Sequence, residues 1–216
     1  MIAHLAVDTR LFPKKLVWPF NHCFFNAEQW FQKADSAESI IFDMDGTLIN
    51  SDYANFLSYK TALETVVGPQ PFLVYNPKIR LTRQRIQQFM PCISKNDLME
   101  VIQEKERVYP FYLSETSINR DVVDVLRRCY DKELILSTNS QQDRAELLLS
   151  YHGLSNKFAH LFFSDDGKIG NKYQKVMHEL SLDARRTVIF ENENHEAILA
   201  REVGIKSTNI MMVGNE

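Results

Sequence analysis

A short apolar run, three or four residues long, recurs along the chain and constrains the fold more than any other feature. Five such runs occur, and the first four are followed directly by polar residues; they cover residues 39–42, 134–136, 161–163, 187–190 and 210–213. Runs of this length are typical of buried strands. We therefore predict five strands, four of which deliver polar side chains to their carboxyl ends.

Segments with helical character separate these runs. The predicted helices cover residues 122–130, 141–151, 173–180 and 195–203. Strands that alternate with helices indicate an α/β fold with a parallel sheet covered on both faces. In such a sheet, ligands bind beyond the carboxyl ends of the strands. The residues that we expect to converge there are Asp43, Asp45, Thr138 and Asn192.

A long stretch without a clear strand interrupts this alternation. Within it, helices are predicted over residues 53–67, 81–89 and 95–108. Because the stretch directly follows the first strand, it is positioned to form a helical lid over the carboxyl edge of the sheet. The expected organisation is an N-terminal arm (1–37), a core domain (38–52 and 117–216) and a helical insertion (53–116).

Composition and charge exclude several classes of protein. Apolar residues make up 44% and charged residues 25%, as in globular chains rather than disordered or fibrous ones. A formal net charge of -3 gives no electrostatic reason to expect nucleic acid or an anionic membrane as the partner. The three cysteines include no C-x-x-C pair, which argues against a disulfide framework or a structural zinc site.

Location and partners follow from what the sequence does not contain. We find no signal-peptide pattern and no apolar stretch long enough to cross a membrane. We expect a cytoplasmic protein that is monomeric or homodimeric. The N-terminal arm is rich in aromatic residues, which either pack on the core or form an interface with a partner or second subunit.

Two carboxylates, Asp43 and Asp45, follow the first predicted strand, and Gly46 comes next. If the chain coils there, both carboxylates reach one site, and Gly46 supplies the permissive backbone. One carboxylate can attack phosphorus to form an aspartyl phosphate, and the other can protonate the leaving oxygen and then activate water. A divalent cation is needed to bring an anionic nucleophile against an anionic phosphate, and oxygen-rich sites of this type suit Mg²⁺.

The stretch that contains these carboxylates, residues 40–48, reads I-I-F-D-M-D-G-T-L. It resembles the first signature of the haloacid dehalogenase superfamily, D-x-D-G-T-L after an apolar strand. The resemblance implies a Rossmann-like, three-layer core with a parallel sheet. It assigns the nucleophile to Asp43 and the general acid/base to Asp45, whose backbone carbonyl would also bind Mg²⁺. Dehalogenation is disfavoured, because the branch that performs it lacks the second Asp.

Two further signatures of the superfamily can be located. The second is an apolar strand that ends in Thr or Ser, and Thr138 stands at that position. Its hydroxyl would hold a phosphoryl oxygen, and the neighbouring Asn139 is assigned with it to substrate binding. The third is a lysine that neutralises the nucleophile and the phosphate. Lys172 is favoured because it opens a helix after a glycine turn, and Lys168 and Lys175 are the alternatives.

The fourth signature departs from the family pattern at Asn192. Similar proteins place Asp at this position, where it binds Mg²⁺; an amide oxygen can still ligate the ion but attracts it less. Glu191 matches the Glu of one variant of the signature and could act as a ligand directly or through water, while Glu196 matches a later acid. The metal ligands implied by the resemblance are Asp43, Asp45, Glu191 and Asn192.

The helical insertion resembles the cap of the phosphoglycolate phosphatase and beta-phosphoglucomutase branch. It contains a basic cluster of Lys78, Arg80, Arg83 and Arg85. Such a cluster is either a solvated helix face or a means for Arg80 or Arg83 to reach the distal part of an anionic substrate when the lid closes. We assign Arg83 to substrate binding.

These features predict a magnesium-dependent phosphatase that hydrolyses a small phosphate monoester through an aspartyl phosphate on Asp43. A phosphomutase would share Asp43 and Asp45 and differ in how the lid excludes water. A third reading is a catalytically weakened protein that keeps the fold for binding or regulation, and Asn192 motivates it.

Overall fold

The structure is a computed structural model that describes residues 23–164 and 170–214, with side chains from Glu28 onward. The α-helices are α1 Cys23–Asp35, α2 Asp52–Val66, α3 Arg83–Phe89, α4 Lys95–Val108, α5 Arg120–Arg128, α6 Gln142–Tyr151, α7 Lys172–Glu179 and α8 Asn194–Glu202. The strands are β1 Ser39–Phe42, β2 Ile49–Asn50, β3 Ser117–Ile118, β4 Glu133–Ser137, β5 His160–Phe162, β6 Thr187–Glu191 and β7 Ile210–Met212. Short 3₁₀ helices cover Tyr109–Glu115 and Ser207–Asn209.

The central sheet has five strands in the order β5-β4-β1-β6-β7. Every pair of neighbours is parallel, and β1 lies in the middle with Ile41 opposite Ile135 of β4 and Ile189 of β6. All five predicted strands are confirmed. Because the strands are parallel, their carboxyl ends lie along one edge of the sheet.

Alternate residues of β1 face opposite sides of the sheet, as the period of two requires. Phe42 stacks on Phe190 with ring centroids 5.0 Å apart, within an apolar cluster that α5 and α6 share. Ile41, Ile135 and Ile189 belong to a second cluster, shared with α7 and α8. Full burial of one such side chain stabilises the fold by roughly 1.5–3 kcal/mol. The sheet is the middle of three layers, which confirms the predicted α/β class.

The helical insertion has an apolar cluster of its own. Helices α2, α3 and α4 pack around Leu63, Ile86 and Val101, and the side chains of Thr82 and Ser94 cap the starts of α3 and α4. All three helices predicted here are confirmed to within two residues. The insertion joins the core through the antiparallel pair β2 and β3, which is too short for an apolar pattern to predict.

Two aromatic side chains of the N-terminal arm pack on the core. Trp30 meets Phe190 edge-on with ring centroids 5.8 Å apart, and the guanidinium of Arg128 lies 3.4 Å from the ring centroid of Phe31. The rest of the arm, residues 1–22, lies outside the described residues. Within the described part of the chain, no helix is long and apolar enough to cross a membrane.

Candidate active site

The carboxyl ends of β1, β4 and β6 meet at a cavity of about 230 Å³. Residues on both the core and the helical insertion line it: Asp43, Asp45, Arg80, Thr82, Thr138, Asn139, Ser140, Arg144, Lys172, Glu191, Glu193 and Glu196. Small-molecule pockets commonly measure about 300–1,000 Å³. This cavity therefore suits a small, polar ligand.

The turn after β1 carries two carboxylates, Asp43 and Asp45, to this cavity. The carbonyl oxygen of Met44 accepts hydrogen bonds from the backbone N–H groups of residues 47–49, at 2.9 to 3.3 Å, which coils the chain. Gly46 has a φ of +85°, and a Cβ placed on it would lie 2.2 Å from the side-chain nitrogen of Asn192. The turn therefore requires glycine at this position.

Asp43 and Lys172 form a buried ion pair on the cavity wall. Lys172 Nζ lies 2.6 Å from Asp43 Oδ1 and 2.9 Å from Glu191 Oε2. Lys172 is the first residue of α7, and Asn171 caps that helix by accepting hydrogen bonds from backbone N–H groups in its first turn. Among the predicted candidates for the motif lysine that the structure describes, Lys172 is therefore the one that lies against Asp43.

Burial and the neighbouring opposite charges shift the pKa of each residue of this pair in opposite directions. Burial raises the pKa of Asp43, and because Lys172 offsets this only in part, the pKa reaches about 7. Burial lowers the pKa of Lys172, but the carboxylates of Asp43 and Glu191 outweigh it and hold that pKa above its ordinary value. Lys172 therefore stays charged and favours the ionised, nucleophilic form of Asp43.

The Glu191 carboxylate is fully engaged by its neighbours. One oxygen accepts hydrogen bonds from the Tyr173 hydroxyl at 2.5 Å and lies 2.9 Å from Lys172. The other accepts the backbone N–H groups of Asn192 and Glu193 at 2.8 and 2.9 Å. A carboxylate has about four acceptor positions, so these contacts leave no position for direct metal ligation. The structure gives Glu191 the task of anchoring Lys172, and its predicted role as a ligand through water stays a prediction.

The structure does not bring Asn192 to the cavity. Its side-chain oxygen accepts a hydrogen bond from the Thr47 hydroxyl at 3.1 Å, and its nitrogen packs over the Cα of Gly46. Asn192 holds the catalytic turn, because these contacts connect the loop after β6 to the loop after β1. These contacts do not support its predicted place at the metal.

Glu193, the next residue, does line the cavity. Its carboxylate makes no hydrogen bond or ion pair with the residues that the structure describes. Burial raises the pKa of Glu193, and the charge of Arg80 offsets this in part. Glu196 accepts a hydrogen bond from the Asn139 side chain at 2.8 Å, while its second oxygen is buried and finds no partner among the described residues. Both carboxylates are available to a cation.

Asp45 lies in a different environment from Asp43. Its carboxylate accepts hydrogen bonds from the hydroxyls of Ser51, at 2.5 Å, and Ser140. Arg80 Nη2 lies 3.4 Å and Arg144 Nη1 3.9 Å from Asp45 Oδ1. Burial alone would raise the pKa of Asp45, but Arg144 and Arg80 outweigh it and hold the pKa well below its usual range.

The loop after β4 supplies polar groups that can hold a phosphoryl oxygen. The Thr138 hydroxyl accepts a hydrogen bond from the backbone N–H of Ser140 at 3.1 Å, which leaves its own proton available to an oxygen in the cavity. Asn139 follows in the same loop and lines the cavity. The structure therefore brings Thr138 and Asn139, as predicted for substrate binding, to the same cavity as Asp43.

The helical insertion reaches the cavity through Arg80. Arg80 Nη1 donates a hydrogen bond to the backbone carbonyl of Asp45 at 3.2 Å and lies 3.6 Å from Asp52. Arg83, the predicted substrate-binding arginine, is exposed and does not line the cavity. It is the first residue of α3, directly after the N-cap residue Thr82. Arg80 takes the position predicted for Arg83.

Sequence reasoning missed Ser140, Arg144, Ser51 and Glu193. The sequence contained a signal for Ser140 and Arg144. Ser140 follows Thr138 by two residues, and Arg144 follows Ser140 by four residues, a distance of about one helical turn. Lys175, an alternative for the motif lysine, does not line the cavity, and Lys168 lies outside the described residues.

Comparisons with known proteins agree with this geometry. A sequence model of the haloacid dehalogenase-like hydrolase family matches residues 40–210, and the chain belongs to this family. A phosphorylated carbohydrates phosphatase from Thermotoga maritima is 26% identical over 179 residues, which cover 78% of this chain and 82% of the relative.

Two solved structures show the same fold. A candidate beta-phosphoglucomutase from Thermotoga maritima superposes with a TM-score of 0.60 at 25% identity, over 80% of this chain and 83% of its own. A predicted phosphoglycolate phosphatase from Haemophilus somnus gives 0.66 at 17% identity, over 78% and 83%. The family and the curated relative identify the chain as a hydrolase of the phosphatase type.

Proposed function

We propose that the protein is a magnesium-dependent phosphatase that hydrolyses a small phosphate monoester through an aspartyl phosphate on Asp43. The observation that carries the proposal is the buried pair of Asp43 and Lys172, which lines one small cavity together with Thr138 and Asn139. The pair provides a nucleophile and a fixed positive charge, and the two loop residues provide donors for phosphoryl oxygens.

In the first half of the reaction, Asp43 attacks phosphorus while Asp45 donates a proton to the leaving oxygen. The bond from phosphorus to that oxygen breaks, and the alcohol departs. In the second half, Asp45 takes a proton from water, which attacks the aspartyl phosphate and releases inorganic phosphate. Arg80 and Arg144 favour the ionised form of Asp45 that accepts this proton.

The donor chemistry of the cavity fits a hard divalent cation. Among the described residues no cluster of three or more His, Cys, Asp or Glu side chains forms a ready-made metal site. Oxygen donors are nevertheless present in the carboxylates of Asp43 and Glu193 and the backbone carbonyl of Asp45. Bound there, Mg²⁺ would reduce the repulsion between Asp43 and the phosphate. Glu193 thus replaces Asn192 in the predicted ligand set.

The proposal includes three further predictions, which concern the helical insertion, the substrate and the cellular location. The helical insertion would act as a cap, which the contact of Arg80 with Asp45 supports. The partner would be a small phosphorylated metabolite, and a cytoplasmic location stays a prediction. No observation on the cavity favours a phosphomutase over a phosphatase, and the contacts of Asp43 with Lys172 favour an active enzyme over a binding protein.

The test is magnesium-dependent release of phosphate from p-nitrophenyl phosphate. We expect turnover by the wild type and a loss of about 1,000-fold or more in Asp43→Asn, because the substitution removes the nucleophile. Asp131→Asn, at an exposed position on the opposite edge of the sheet, is the matched control and should keep wild-type activity. Turnover that survives Asp43→Asn would refute the proposal.

A further inference from the structure

Tyr173 contacts the catalytic pair from inside the protein, and the proposed chemistry does not use it. It is the second residue of α7, directly after Lys172, and its side chain is fully buried. Its ring belongs to the apolar cluster that also contains Ile41 and Ile189. Its hydroxyl meets the carboxylate of Glu191, the last residue of β6. Tyr173 thus links the apolar core to the group that anchors Lys172.

One oxygen of Glu191 serves two donors. The Tyr173 hydroxyl donates a hydrogen bond to Glu191 Oε2 at 2.5 Å, and Lys172 Nζ lies 2.9 Å from the same atom. An ionised carboxylate can only accept hydrogen bonds, so the hydroxyl must be the donor in this contact. The hydroxyl therefore offsets part of the negative charge on Oε2 that would otherwise act on Lys172 alone.

Lys172 is in turn shared between two carboxylates. Its Nζ lies 2.6 Å from Asp43 Oδ1 and 2.9 Å from Glu191 Oε2, so the shorter contact is with Asp43. A lysine side chain is a flexible stem that does not fix the position of its own ammonium group. The balance between the two carboxylates therefore sets where this ammonium lies. A hydrogen bond from Tyr173 to Glu191 shifts that balance toward Asp43.

Other contacts hold Glu191 and the start of α7 in place. The second oxygen of Glu191 accepts hydrogen bonds from the backbone N–H groups of the next two residues, so this carboxylate would stay fixed without the hydroxyl. Asn171, the cap of α7, donates a hydrogen bond to the backbone carbonyl of Leu199 on α8 at 2.7 Å, which fixes the start of the helix. Loss of the Tyr173 hydroxyl should therefore act mainly on the ammonium of Lys172.

We propose that Tyr173 is a positioning residue for the reaction, whose hydroxyl holds Glu191 so that the ammonium of Lys172 stays directed at Asp43. This inference rests on the proposed phosphatase function and extends it to a residue that does not line the cavity. Side chains that support a catalytic group from behind fix its geometry, and their loss lowers activity although the group itself remains.

Tyr173→Phe tests the proposal, because it keeps the ring and removes only the hydroxyl. With p-nitrophenyl phosphate we expect kcat to fall by about 10-fold and KM to change by less than about 2-fold. Tyr112→Phe is the matched control, since it removes a hydroxyl that forms a hydrogen bond with Thr61 at 2.7 Å, away from the cavity. It should keep the kcat of the wild type.

A double substitution separates positioning from a purely structural role. In the Lys172→Met background, Tyr173→Phe should lower kcat by less than about 2-fold, because the group that the hydroxyl positions is gone. An equal loss of kcat in the wild-type and Lys172→Met backgrounds would show that Tyr173 acts on the fold rather than through Lys172, and would overturn the proposal. Unchanged kcat in the single variant Tyr173→Phe would overturn it as well.

A spectroscopic measurement keeps this test independent of turnover. In protein labelled with ¹⁵N-lysine, the ammonium resonance that Lys172→Met removes belongs to Lys172. We expect this resonance to shift in Tyr173→Phe and to keep its position in Tyr112→Phe; an unshifted resonance in Tyr173→Phe would overturn the positioning role. Turnover that depends on Asp43 would leave the phosphatase function standing in each case. Absence of any turnover by the wild type would refute that function, and the ammonium resonance would still decide whether Tyr173 positions Lys172.

Discussion

The two sides of the cavity differ in charge although their carboxylates are only two residues apart in sequence. On the acidic side, Lys172 stands against Asp43, Glu191 and the nearby Glu193. On the basic side, two arginines and two serine hydroxyls surround the carboxylate of Asp45, and the same arginines also lie 3.6 Å from Asp52 and 3.7 Å from Glu106. The acidic side therefore suits a cation, and the arginines of the basic side favour the ionised form of Asp45.

This difference separates the pKa values of the two aspartates. The pKa of Asp43 is raised to about 7 by burial, and that of Asp45 is held low by Arg144 and Arg80 against the effect of burial. Catalysis needs the reverse order of these two pKa values, with Asp43 ionised and Asp45 able to carry a proton. A cation on the acidic side and an anion on the basic side would shift each pKa in the required direction. Bound ligands would therefore complete the electrostatics of this site.

Of the substitutions that test this difference, Lys172→Met should have the largest effect on activity, since it removes the fixed positive charge from the acidic side. We expect kcat/KM to fall by about 100-fold or more. Because Lys172 favours the ionised form of Asp43, its loss raises the pKa of Asp43. The acidic limb of the pH–rate profile should therefore move to higher pH. Lys175→Met, three residues further along α7, should change neither quantity; equal effects of the two variants would contradict the assignment of Lys172.

Glu193→Gln tests the acidic side as a cation site. We expect the Mg²⁺ concentration for half-maximal activity, and the dissociation constant from calorimetry, to rise by about 10-fold. Asn192→Asp should change both by less than about 3-fold, because Thr47 and Gly46 hold that side chain away from the cavity. A strong gain in affinity from Asn192→Asp with no effect of Glu193→Gln would place Asn192 at the metal instead.

Lys105 lies behind the basic side, 2% exposed, with Nζ 4.9 Å from the centroid of the Tyr109 ring. Burial, together with the charge of Arg144, lowers the pKa of Lys105 from 10.5 to about 8. Between these pH values the unfolded chain binds a proton that the folded chain lacks, so the free energy of unfolding rises with pH. Lys105→Met should remove this contribution, which amounts to at most about 3 kcal/mol.

Urea unfolding from about pH 7 to pH 10.5 measures this contribution as the difference between wild type and variant. Lys95→Met, at an exposed position on the same helix, should retain the rise of the wild type. If Lys105→Met shows the same rise as Lys95→Met, the electrostatic description of the basic side is wrong.

Much of the fold could be predicted from the sequence because it depends on local patterns. Apolar runs predicted all five strands of the sheet. Because parallel strands end at one edge, the positions of Asp43 and Thr138 at the ends of two of these strands already implied a common site. The 3₁₀ helix Tyr109–Glu115 and the two-residue strands leave no periodicity to detect.

The partners within the site could not be predicted in the same way. The motif pattern predicted Asn192 as a metal ligand, yet its side chain accepts a hydrogen bond from Thr47, and that contact depends on how two loops meet. Arg80 rather than Arg83 reaches Asp45 because Thr82 starts a helix between them. These details depend on tertiary packing, which a pattern in one chain does not encode.

The central claim is that Asp43 forms a covalent phosphoenzyme, and the most direct test is to trap it. Wild-type protein is mixed with Mg²⁺ and a substrate, quenched in acid within milliseconds, digested and examined by mass spectrometry. We expect one added phosphoryl group on the peptide that contains Asp43, sensitive to hydroxylamine and absent from Asp43→Asn. A phosphoryl group on another residue, or turnover without any phosphopeptide, would contradict it.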